Sequence, residues 1–177
     1  MKKLLFITLV TLLSACWSEQ PKSEIENALT PIISEYPNYE SNDMAREQAM
    51  SRVETWGKSL LGKAAPFNGS EFSFRKMETV DGHTAAFFVA RGFVEIDAPK
   101  GSSNKYVISS PTVVVLAQID NATAAKLDGN KKYSLSGTVK DWSAKDDFFI
   151  ASGSMTPDDI FMGTFLMDNP TITEITE

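Results

Sequence analysis

The spacing of apolar residues changes character twice along the chain. Residues 4–13, LLFITLVTLL, form a run interrupted only by Thr8 and Thr11 and preceded by Lys2 and Lys3. From 23 to 61 the apolar positions recur every three or four residues. From 72 onward they alternate with polar ones or cluster in short blocks bounded by Gly, Pro, Asn and Asp. A run of about ten is far short of the ~20 residues that span a bilayer as a helix. A basic start, an apolar stretch and small residues before Cys16 are the three parts of a secretory leader.

The helical stretch has start and stop signals. Ser23 with Glu26 has the form of a capping box, and Ile25, Leu29, Ile32 and Ile33 follow at helical spacing. Pro31 is expected to break or restart that helix. Tyr36-Pro37-Asn38-Tyr39 reads as a turn. A second helix is predicted from Asn42 or Asp43 to about Leu61, with Ala45, Ala49, Val53, Trp56 and Leu60 on one stripe and Gly62 ending it.

Strands follow. Phe72 and Phe74 alternate with polar residues, Thr84 to Val94 is almost continuously apolar, and Thr112 to Ile119 is rich in valine. Between the last two, Asp97 to Ser110 carries Pro99 and Gly101, with Pro111 just after it, and is expected to be a long exposed loop. Asn121 is placed to cap a short helix, Ala122 to Leu127. Tyr133 to Trp142 alternates around Gly137, and Phe148 to Ser154 makes a fifth strand. Thr156-Pro157-Asp158-Asp159 reads as a helix start. The expected organisation is a signal peptide (1–15), a tether (16–22), a helical segment (23–61), a β domain (62–155) and a carboxy-terminal extension packed on it (156–177). The class is mainly β with flanking helices (α+β).

Two resemblances sharpen this plan. The segment AAKLDGNKKYSLSGTVKDW resembles the corresponding stretch of periplasmic OB-folds of the tRNA-anticodon-binding-like group, with Leu127, Gly129, Tyr133, Leu135, Gly137 and Val139 on the pattern. That resemblance implies a five-stranded, partly open barrel, preceded here by the amino-terminal helical segment, with Gly137 allowing its strand to bend. Leu13-Ser14-Ala15-Cys16 resembles the lipobox of bacterial lipoproteins. It implies that the leader is cut before Cys16 and that the cysteine sulfur carries a diacylglyceryl group. Since Cys16 is the single cysteine, no intramolecular disulfide is possible and stability must come from packing.

With its 17 basic and 23 acidic residues the chain carries a net charge of −6. Loss of the two leader lysines deepens it to about −8, a surplus that repels nucleic acid. The implied location is the envelope. In lipoproteins of Gram-negative enteric type, aspartate after the cysteine favours inner-membrane retention. Trp17 stands there instead, so the outer membrane facing the periplasm is expected.

A catalytic set does not emerge. His83, the single histidine, sits in an Asp81-Gly82-His83 turn, without carboxylates at metal-ligand spacing and without a Gly-x-Ser-x-Gly motif elsewhere. No phosphate loop or dinucleotide fingerprint occurs, so no cofactor is expected. Asp146-Asp147 and Asp158-Asp159 are the carboxylate pairs of an alternative reading, a metal-independent envelope hydrolase. The favoured reading is a non-enzymatic binding module for an envelope protein or glycan. Trp142, Phe148 and Phe88 are its candidate contact residues, since neighbouring strand residues point to opposite faces and some rings must face outward.

Overall fold

A computed structural model of the chain describes residues 22–80, 82–144 and 159–176. Within them lie three helices, α1 (Glu24–Glu35), α2 (Asp43–Ser59) and α3 (Asn121–Ala124). The strands are β1 (Phe72–Val80), β2 (His83–Arg91), β3 (Val94–Asp97), β4 (Tyr106–Gln118), β5 (Lys132–Ser136), β6 (Val139–Ser143), β7 (Asp159–Asp168) and β8 (Thr171–Ile175). The molecule is mainly β with flanking helices, as expected. Eight strands form an open sheet in the order β6-β7-β4-β2-β1-β5-β8, with β3 added on β4, in place of the five-stranded barrel expected. The strand predicted at Phe148–Ser154 lies outside the described residues.

Helix α1 begins with the predicted capping box. The Glu26 amide donates to Ser23 Oγ at 3.3 Å and the Ser23 amide to Glu26 Oε2 at 2.9 Å. The helix runs through Pro31 instead of breaking there. Pro31 is exposed while Ile25, Leu29, Ile32 and Ile33 are buried, so burial of four aliphatic side chains, about 1.5–3 kcal/mol each, outweighs one missing backbone bond. Asn42 caps α2 by accepting from the Ala45 amide at 3.1 Å, and Ala45, Ala49 and Val53 are buried. In α3 the cap is Asp120, one residue before the one expected, and the helix is one turn long.

The expected loop at 97–110 is shorter. β2 and β3 pair with β4 in one continuous antiparallel register, interrupted only at Gly92-Phe93. Pro111 stands opposite Gly92 and has no N–H to donate, but its carbonyl accepts from the Gly92 amide at 2.9 Å. The ladder loses one bond and continues. Residues 98–105 are the true connection.

At the carboxy end, residues 156–158 of the predicted helix start lie outside the described residues, and from Asp159 the chain runs as a strand. β7 runs parallel to β4 on its other edge, with Ile160, Met162, Phe165 and Met167 in the core. Met162 and Phe165 face inward three positions apart because the register shifts near Gly163, which hides the alternation from a strict period of two. β5–β8 and β6–β7 likewise follow nearly one register, turning at Gly137-Thr138 on one side and Asn169-Pro170 on the other. A Cβ on Gly137 would lie 3.1 Å from Pro170 Cα and 3.2 Å from Met167 Cε, so a side chain there would require these neighbours to give by a few tenths of an ångström.

The core lies on one face of the sheet, under α1 and α2. Its rings interlock edge to face: Phe67 meets Phe72 at 5.6 Å and Phe165 at 5.0 Å, and Trp56 of α2 meets Phe165 at 5.7 Å. The opposite face of β2, β4 and β7 carries a second buried cluster, Phe87, Val89, Val114 and Phe161. Apolar residues on both faces of these central strands explain why their sequences run continuously apolar instead of alternating.

Candidate functional site

Trp142 is the sequence-predicted contact residue that the structure leaves in reach of solvent. It lies on β6 opposite Phe165 of β7, after a register irregularity between Val139 and Asp141. That irregularity takes Asp141 off the buried face that Tyr133, Leu135 and Val139 occupy. The indole is seated by backbone. Its Nε1–H donates to the Met162 carbonyl at 3.2 Å, and its ring covers Gly57 of α2 and Gly163 of β7 so closely that a Cβ on either would overlap it. Gly163 has φ +116°, where glycine is the residue without steric penalty.

Beside this ring is an open groove of about 400 Å³, walled by Trp142, Ala144 and Phe161 on the sheet side and by Glu47, Met50 and Glu54 of α2. The three α2 residues share one stripe because they stand three and four positions apart. Met50 is 38% exposed. Glu54 pairs with Lys58 one turn on, whereas among the described residues Glu47 has neither an ion pair nor a hydrogen bond. Sequence reasoning missed these α2 residues. The signal was an exposed methionine among charges on the polar side of an otherwise regular amphipathic helix.

The other expected contacts fall elsewhere. Phe88 is fully buried, with Phe74 and Tyr133 rings 5.8 and 5.7 Å away, so it is a core residue and a partner cannot reach it. Phe148, Asp146, Asp147, Asp158 and Cys16 lie outside the described residues. Asp159 opens β7 opposite Ser110. His83 is exposed at the start of β2, paired with Val80. Among the described residues, no group of three or more His, Cys, Asp or Glu side chains is placed to hold a metal ion, and no helix is long and apolar enough to cross a membrane.

A second groove, about 710 Å³, lies between the 37–41 turn and the outer end of β4, where Tyr106 and Ile108 are exposed. Among the described residues, displaced titrations occur at three surface groups that line neither groove. Tyr36 is raised, chiefly by donating to the Glu35 carboxylate. Asp120 is lowered, chiefly by the Thr123 amide, and Lys131 is raised, chiefly by its hydrogen bond to Glu174. No protein-family model matches the chain, and no curated protein and no solved structure is similar enough to match it.

Proposed function

We propose that this chain is an envelope lipoprotein, anchored through lipid on Cys16 and facing the periplasm from the outer membrane, that binds a protein partner without transforming it. The leader and the Leu13-Ser14-Ala15-Cys16 motif support the anchor. Two or three acyl chains, at about 0.8 kcal/mol per buried methylene, hold a protein at a membrane stably.

An OB-like plan for the sheet belongs to the same proposal. Its support is chain continuity: β6 and β8 end the hydrogen-bonded path, yet β5 and β6 are consecutive stretches, as are β7 and β8. Pairing of Phe72 and Ser73 with Tyr133 and Lys132 brings β5 beside β1. Merging the strands that share a register leaves five lengths of chain in the order such barrels use.

The observation that carries the binding reading is the seated indole. Two glycines and a backbone carbonyl fix the orientation of a ring that still borders an open groove. Tryptophan is among the residues most enriched at the energetic hot spots of protein interfaces. The test is capture of partners by the full-length chain from detergent-solubilised envelope, with a Trp142→Leu variant of matched thermal stability as control. A partner recovered reproducibly by the parent and lost by the variant is expected. Recovery of none at micromolar concentration defeats the reading.

A further inference from the structure

The groove beside Trp142 also restricts what kind of side chain a partner presents. One wall is aromatic, Trp142 with Phe161; the other offers the Met50 thioether between two carboxylates. Lys58 offsets Glu54, and Glu47 is left without a counter-charge among the described residues. No cationic side chain is among the described residues that line the groove. Aromatic faces attract cations through the ring quadrupole. A thioether adapts to an alkyl stem, and a carboxylate with free lone pairs accepts a forked donor.

Arginine satisfies the three demands together. Its guanidinium is planar, weakly hydrated and able to stack on an indole while donating sideways to a carboxylate, whereas lysine is a strongly hydrated point charge. The chain's net charge of −6 would also steer a basic partner toward it. We propose that this groove is the docking pocket for an arginine side chain of the partner protein, with Trp142 stacking on the guanidinium, Met50 covering the stem and Glu47 accepting from the guanidinium N–H groups. The inference rests on the binding-module reading above and names the chemistry of its partner.

The probes are N-acetylarginine amide and its neutral near-isostere N-acetylcitrulline amide, titrated into the full-length chain in detergent micelles while the indole N–H resonances of Trp17, Trp56 and Trp142 are followed. Saturable movement of the Trp142 resonance with the arginine probe is expected, with affinity for the citrulline probe at least about tenfold weaker. Glu47 is exposed, so Glu47→Gln should keep the parent's thermal stability and weaken the arginine response by a similar factor. Equal responses to the two probes, an unmoved Trp142 resonance, or an undiminished response in Glu47→Gln would each overturn the assignment.

Capture from envelope extract separates the two levels. A partner held equally by parent and Glu47→Gln, with Trp142 silent to the arginine probe, removes the arginine pocket and leaves the binding module standing. A clear arginine response with no partner captured keeps the pocket and removes the module.

Discussion

At Gly57 two residue-level rules have opposite signs. Glycine in a helix interior costs roughly 0.5–1 kcal/mol relative to alanine, so Gly57→Ala should stabilise if only α2 mattered. The new Cβ would overlap the Trp142 indole, and overpacking costs about 1–3 kcal/mol. Gly57→Ala is therefore expected to lower the urea midpoint, and a raised midpoint would show that the indole is not seated there. Asp120 is the residue whose contribution depends on pH. It accepts from the Thr123 amide at 2.6 Å, and this bond, with a second from Thr123, holds its carboxyl below the usual range. A depressed folded-state value means that the charged cap stabilises above the unfolded value of about 3.9 and loses its effect as pH falls through the folded one. Thermal melts of parent and Asp120→Ala should differ at pH 7 and converge in stronger acid; a gap that widens in acid would refute the sign. Asp120 and Asn121 are both good caps, and which one serves depends on where β4 releases the chain.

Among the elements, α1 is tied to the sheet through one carboxylate. Glu26 closes the capping box with Oε2 and accepts the Phe93 amide with Oε1 at 2.8 Å, linking the helix start to the interruption between β2 and β3. A Cβ on Gly92 would meet the Glu26 side chain within contact distance, so the glycine is needed for that approach. Glu26→Gln keeps one acceptor oxygen and Glu26→Ala none. Stability losses of about 1 and about 2 kcal/mol are expected in chemical denaturation, with Phe93 amide exchange accelerated in both. Equal losses would mean that the bond the glutamine keeps, to the Ser23 amide, contributes nothing. The capping box itself was visible in the sequence because its parts are three residues apart. The second bond was not, since it joins residues 67 positions apart. The same distinction separates the well-predicted helices from the strands around Pro111, Gly163 and Pro170, where local breaker signals were overridden by pairing with distant chain.

For the whole molecule, the proposed anchor makes a prediction independent of the fold: Cys16→Ser should shift the chain from the membrane fraction to the soluble one and abolish labelling by radioactive palmitate. Retention of the label would move the attachment elsewhere. From its sequence alone the protein could be read as two amphipathic helices with their caps and a β-rich remainder, because each depends on residues within a few positions of one another. Its folding in space decided that residues 159–176 carry strands of the sheet, that Phe88 is core while Trp142 borders solvent, and that Glu47 and Met50 line one groove with that indole. Strand pairing and side-chain burial join positions tens of residues apart, and two rings of the same type on similar strands differ only in what the rest of the chain places against them.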